Sequence, residues 1–259
     1  MKAQGFPLDH IADELGPAMV VHLWDPACSL RATVVVDNLA AGPAIGGVRM
    51  AADVSTEEVV RLARAMTLKN AAAGLPHGGG KAGILADPRR ADRERLVRAF
   101  ARAIRELAGY VPGPDMGTDE RCMAWIHDEI GRAVGLPRVL GGIPLDELGA
   151  TGFGLAHCAE VAAGELGLAL AGAKVAIEGF GSVGRHAARF LAERECVLVA
   201  ASDSRGAVHR DEGLDHEALA AFKRETGSVA GFPGARTLRL AELGAVPCDI
   251  LVPDARPHH

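Results

Sequence analysis

The chain has 259 residues, 49% apolar and 24% charged, the composition of a globular protein with ample material for a core. Its net charge of −5 comes without a basic block, so a nucleic-acid surface is not expected, and no long uncharged apolar run offers a membrane span. Asp9, Asp13 and Glu14 near the start argue against a secretory signal; five cysteines without a C-x-x-C pair point to reduced thiols in a cytoplasmic chain, with neither a disulfide frame nor a metal site.

Residues 1–16 read as a helix that stops at Gly16-Pro17. Strands are expected at 18–23 and 30–37 around a turn at Asp25-Pro26, the second on the β-branched run Thr33-Val34-Val35-Val36. Residues 40–50 hold the first of three glycine clusters. Ser55 is placed as an N-cap, with Glu57 and Glu58 in the first turn. Val59, Leu62, Ala63 and Met66 then give a helical period that runs to Ala73, stops at Gly74 and carries Lys69 in its last turns. The second cluster, Gly78-Gly79-Gly80, leads as a loop into Lys81. Asp92–Ala108 is a periodic helix through Leu96, Phe100, Ala103, Ile104 and Leu107. Tyr110–Pro114 must be extended or turned, because proline disfavours helix in the residue before it. Asp115 is therefore presented from a loop or strand end, before a helix from Thr118 to about Val134.

A glycine-rich stretch at 141–152 breaks the periodicity and marks a domain boundary, giving domains 1–145 and 146–259. Beyond it come a helix from Thr151 to Leu170, a strand at Lys174–Glu178 and the third cluster, Gly179–Gly184. A helix at Arg185–Glu193 and strands at 196–202 and 248–252 follow, with a short strand near 237–240. The pattern is α/β.

Three constellations carry chemistry. Gly179-x-Gly181-x-x-Gly184 lies between strand and helix, and Asp203 ends the next strand. In a dinucleotide site such glycines let the pyrophosphate approach bare backbone at a helix N-terminus, and the acid bonds the ribose. The alternative is a plain glycine-rich βα turn. Asp203 favours NAD over NADP, although Arg205 stands where it would receive a 2′-phosphate. Lysine is scarce, five residues against 23 arginines. Lys69 and Lys81, brought together by the glycine loop, would bind an anion and depress the pKa of the more buried amine; otherwise Lys81 is a surface cation. Asp115, on a stiff Pro/Gly-bounded segment, is either a proton-transfer group or an ordinary helix cap.

Taken together, these clusters resemble the glutamate/leucine/phenylalanine/valine dehydrogenase family of amino-acid dehydrogenases. Leu75–Pro88, with Gly78-Gly79-Gly80-Lys81, is similar to that family's active-site loop, and Gly42–Met50 to its substrate-facing turn. Pro114-Asp115-Met116-Gly117-Thr118 resembles its catalytic aspartate segment, and Ala150–Gly154 the start of the helix before its nucleotide fold. The likeness runs from Met19 to Pro253. It implies an N-terminal α/β domain for substrate binding and oligomerisation, followed by an incomplete Rossmann-type NAD-binding domain.

The resemblance also implies roles. Lys81 becomes the catalytic lysine, Asp115 the acid/base, and Lys69 the partner of the substrate α-carboxylate. Gly46 and Gly47 line the pocket, with Ile45 facing the substrate side chain. Gly179, Gly181, Ser182, Val183, Gly184, Asp203 and Thr151 hold NAD, with NADP as the alternative. The implied reaction is reversible oxidative deamination of an L-amino acid in a homo-oligomer. Glutamate-type members have a lysine at the position of Ile45, so a branched-chain substrate of leucine or valine type is expected. Gly113–Trp125 looks more glutamate-like, which keeps glutamate dehydrogenase as the alternative. At about 30 residues per βαβ unit the nucleotide fold is too short for six strands. That suggests a C-terminally shortened enzyme or, in another class, a non-catalytic oligomerising or nucleotide-binding subunit.

Overall fold

The structure, a computed structural model, describes residues 11–255 and divides into two compact units, Met1–Pro144 and Leu145–His259. The first unit contains β1 (Met19–Asp25), β2 (Leu30–Val36), β3 (Ala44–Ala51), α1 (Thr56–Ala72) and β4 (Gly78–Leu85). It continues with α2 (Arg93–Ala103), β5 (Tyr110–Pro114) and α3 (Glu120–Ile130). Its sheet has the order β1-β2-β4-β3-β5. The pairs β1/β2 and β2/β4 are antiparallel, whereas β4/β3 and β3/β5 are parallel.

Strand alternation divides the apolar residues between two faces. Leu30, Val34, Met50 and Ile84 form one core with Leu96, Phe100, Tyr110 and Ile126, beneath α2 and α3. Val35 packs on the other face with Val59, Val60 and Ala63 of α1. This explains why Val34-Val35-Val36 of β2 is apolar without a break: both sides of it are covered.

In the second unit α4 (Leu145–Leu148) and α5 (Ala150–Glu165) precede β6 (Lys174–Glu178), α6 (Ser182–Ala192) and β7 (Val197–Asp203). Then come β8 (Gly206–His209), α7 (His216–Thr226), β9 (Arg236–Leu238) and β10 (Ile250–Pro253). The sheet order is β10-β6-β7-β8-β9, with β10, β6 and β7 parallel and the last two strands antiparallel. Val175, Ile177, Ala187, Leu191, Leu198 and Leu219 make its main core, and Ala176, Val199, Leu243 and Val246 fill the opposite face. No helix among the described residues is long and apolar enough to cross a membrane.

Several elements differ from the sequence expectation. The helix at 1–16 is not found over 11–16, where turns close on an Asp13–Gly16 bridge; residues 1–10 lie outside the described residues. The Arg64 guanidinium takes both oxygens of Asp13 and ties this segment to α1 instead. The second glycine cluster is not a loop but strand β4, and the first is a turn only over 40–43, continuing from Ala44 as the adjacent strand β3. Their glycines are needed for close approach. A Cβ on Gly79 would lie 2.1 Å from the Thr67 nitrogen of α1, and one on Gly46 would lie 1.5 Å from the Gly80 carbonyl oxygen.

Helix ends also fall short. α2 stops at Ala103 because Arg132 takes the carbonyls of Ile104 and Leu107, at 2.6 and 3.1 Å, and so replaces a further helical turn. α3 begins after Asp119, not at Thr118, and ends at Gly131 in the left-handed region. α5 ends at Glu165, just before left-handed Gly167. Strand β8 and helix α7, capped by Asp215, were not anticipated from the sequence.

Candidate active site

In β4, Lys81 pairs with Val35 and therefore faces α1; in the parallel register of β3, Arg49 lies against Gly83 on the same face. Alternation along β3 puts Ile45, Gly47 and Arg49 together there, and α1 brings Glu58 in its first turn and Lys69 in its last. Gly47 makes room for the cluster. A Cβ at that position would lie 2.6 Å from the Asp115 Cβ and 3.2 Å from the Lys81 ammonium.

Asp115 follows β5 directly and its backbone is held on every side. Thr118 Oγ1 accepts from the Asp115 N–H at 3.0 Å and donates to the Val48 carbonyl at 2.8 Å, and the Met50 N–H donates to the Met116 carbonyl at 2.9 Å. Gly117 sits at φ +80°, where any Cβ would strike the Met50 carbonyl. The cap of α3 is Asp119, which accepts from the Cys122 N–H, so the Asp115 carboxylate is not used as a helix cap. It points at Lys81 instead, Oδ2 to Nζ 3.1 Å, and accepts from Arg49 Nε at 2.9 Å on the same oxygen. Arg49 Nη1 reaches on to Glu58.

Lys81 is 5% exposed. Burial pulls its ammonium below the usual lysine range; Asp115 works against this, while Arg49 and Lys69 push in the direction of burial. A buried amine with a lowered proton affinity and a carboxylate partner is suited to exchange protons more readily than an exposed lysine. Lys69 remains exposed. Next to this cluster the Tyr110 hydroxyl donates to the Gly46 carbonyl at 2.9 Å, which fixes the β3 backbone; Ile45 is half-buried beside it.

In the second unit, Gly179 has φ +102°, and a Cβ on Gly184 would lie 2.0 Å from the Gly179 carbonyl oxygen. A Cβ on Gly181, by contrast, would enter open space. The N-cap of α6, Gly181, brings no side chain, unlike the N-caps of α1, α3 and α7, which leaves the N–H groups of Ser182 and Val183 without an N-cap acceptor, while the Gly184 N–H one position on donates to the Asp254 carboxyl. Those features fit a dinucleotide pyrophosphate. Thr151 is exposed in the first turn of α5.

Asp203, the expected ribose acceptor, is the last residue of β7. Its carboxylate accepts from Ser228 Oγ at 3.0 Å, from the Val229 N–H at 2.7 Å and from the Arg205 N–H at 2.9 Å. Lys223 Nζ lies 3.3 Å from it and also donates to the Phe180 carbonyl at 2.8 Å, which joins α7 to the glycine turn.

Arg49 and Glu58 were missed as site residues. One of 23 arginines in a glycine-rich segment carries no signal by type; only the strand period, once β3 is known to be a strand, puts Arg49 on the face of Lys81.

Comparison with known proteins follows the same order of parts. Residues 24–132 match the family described as Glu/Leu/Phe/Val dehydrogenase, dimerisation domain, and residues 141–259 match Glutamate/Leucine/Phenylalanine/Valine dehydrogenase. A glutamate dehydrogenase of Aeropyrum pernix is 40% identical over 233 residues, and one of Thermotoga maritima is 40% identical over 237. These alignments take in 84% and 85% of this chain but 56% and 57% of the relatives, so the chain spans little more than half their length. Among solved structures, the hetero-hexameric glutamate dehydrogenase of Thermus thermophilus in its Leu-bound form is similar, with a TM-score of 0.80 and 32% identity, covering 92% of this chain and 62% of that one.

Proposed function

Because the chain belongs to the glutamate/leucine/phenylalanine/valine dehydrogenase family, we propose that it takes part in reversible oxidative deamination of an L-amino acid to a 2-oxo acid and ammonium. The observation that carries this reading is the buried Lys81 with its ammonium 3.1 Å from Asp115, on a strand face floored by glycine. In the proposed roles Lys69 holds the substrate α-carboxylate and the Gly46–Gly47 backbone lines the pocket. Asp115 takes a proton from the substrate nitrogen and returns it to the departing ammonia. Lys81, as the neutral amine, removes a proton from the water that attacks the substrate's iminium carbon.

The dinucleotide, when bound, supplies the hydride acceptor. Gly179, Gly181, Gly184 and the N–H groups of Ser182 and Val183 are proposed to hold its pyrophosphate, with Thr151 contributing from α5. NAD was the sequence expectation, on the strength of Asp203. That carboxylate already has protein donors on both oxygens and Lys223 beside it. Arg205 is exposed two residues on, so we propose that NAD and NADP are both accepted.

For the substrate, both curated relatives at 40% identity are named glutamate dehydrogenase, and this favours glutamate over the branched-chain preference expected from sequence. One observation keeps the second reading. Ile45 lies on the Lys81 face of β3 and offers no charge to a glutamate side-chain carboxylate, whose burial without a partner is costly. A panel of L-amino acids with NAD and with NADP, followed by absorbance of the reduced cofactor, decides between them. Glutamate as best substrate supports the first reading, leucine or valine the second, and no reduction with any amino acid removes both.

A further inference from the structure

Arg49 serves two carboxylates at once. Its Nε and the Lys81 ammonium converge on Oδ2 of Asp115, at 2.9 and 3.1 Å, while Nη1 is paired with Glu58 from the first turn of α1. No hydrogen bond to Oδ1 of Asp115 is made among the described residues. The Arg49 side chain is 13% exposed and that of Asp115 18%, so this geometry is packed in place.

We propose that Arg49 is a positioning residue for the Lys81–Asp115 pair: together with Lys81 it pins Oδ2, it leaves Oδ1 as the free acceptor for a substrate proton, and it is itself held by Glu58. A planar guanidinium suits this role because its donors point in fixed directions along both edges. A lysine at the same place brings one charged point and cannot hold both carboxylates in register. The proposal rests on the amino-acid dehydrogenase reading for which proton Oδ1 takes; the pinning itself does not depend on it.

Among the described residues, the charges that face Lys81 are few. Asp115 comes from the end of β5, Arg49 from β3, and Lys69 from α1, with Glu58 of α1 acting through Arg49. Removing the Arg49 charge leaves two carboxylates less compensated, which raises the proton affinity of Lys81. Glu58→Gln keeps a hydrogen-bond acceptor for Arg49 and removes only a negative charge, which lowers it. The two variants therefore move Lys81 in opposite directions, a pattern that loss of packing does not produce.

The test is trace acetylation of the whole chain with acetic anhydride across pH, with the Lys81 peptide followed by mass spectrometry against Lys69, Lys174 and Lys223. The expected result is a Lys81 midpoint raised by about one pH unit in Arg49→Gln and lowered by a few tenths in Glu58→Gln. Arg49→Lys should stay near wild type. In turnover assays, Arg49→Gln should lose about 100-fold in kcat with KM changed less than about threefold, and Arg49→Lys should recover part of the loss. Midpoints that do not move, or that move the same way in both variants, overturn the proposal, as does Arg49→Gln with wild-type kcat. If Arg49→Gln fails to fold, Glu58→Gln decides alone: an unchanged or raised midpoint rejects the pinning. A wild-type chain that turns over no amino acid but shows the opposed shifts loses the proposed reaction and keeps the pinning. Turnover with fixed midpoints does the reverse.

Discussion

At Lys81, the proposed function and stability pull apart. A buried ammonium costs desolvation that its single carboxylate partner only partly offsets, and Arg49 and Lys69 add repulsion. Lys81→Met keeps the volume and removes the charge, so its thermal unfolding midpoint is expected at or above that of wild type. Turnover should fall below about a hundredth, the range of a lost acid/base group. A variant with wild-type turnover rejects the catalytic role. The pH dependence has a definite sign. The folded state holds the Lys81 proton less tightly than the unfolded chain, so the fold gains stability from this residue as pH rises toward the ordinary lysine range. For the proposed deamination, turnover is expected to rise with pH through a midpoint below that range, which a pH–rate profile measures.

Elements were legible in proportion to how local their signals are. The α1 start needed only Ser55 and its first-turn acids, and Ser55 does accept from the Glu58 N–H. Similarly, Lys174–Glu178 is β6, bound for bound. Strands β3 and β4 were hidden because glycine has the weakest strand preference, and what fixes them is the approach of α1 and Tyr110, which no local window contains. Lys81 and Asp115 stood out by residue type and spacing, whereas Arg49 and Glu58 depend on register across the sheet. Two glycine variants test this account by urea unfolding. Gly79→Ala forces a methyl against α1 backbone and should cost about 3 kcal/mol or more. Gly74→Ala has open space at φ +65° and should cost about 1 kcal/mol for the left-handed backbone alone. Asp119→Ala removes the α3 cap for about 1 kcal/mol and should leave kcat unchanged; a change in kcat would show that the cap, too, tunes Asp115.

At the scale of the molecule, each unit has its own sheet and its own core, so their chemistries are open to separate assay. Nucleotide binding is proposed to rest on the second unit. A Gly181→Val variant, which fills the open cradle beside α6, should therefore weaken NADH and NADPH binding at least tenfold, read by cofactor fluorescence, with no effect on the Lys81 titration. Equal binding by wild type and variant would remove the glycine turn as the pyrophosphate site. Assembly is the second proposal at this scale. β1 is an edge strand with Trp24 69% exposed, the kind of edge that proteins cover. We expect a homo-oligomer by light scattering at micromolar concentration; a monomer refutes it.

The glycine floor beneath Lys81 also bears on how this protein changes over generations. At Gly47 and Gly79 the wall of the proposed pocket is main chain, and each position rejects even a methyl group. Mutation has almost nothing to work with there. Under the proposed function, drift in substrate choice is thereby channelled to the few neighbouring positions that do present a side chain to the same face, with Ile45 foremost, while the proposed reacting pair stays insulated from it.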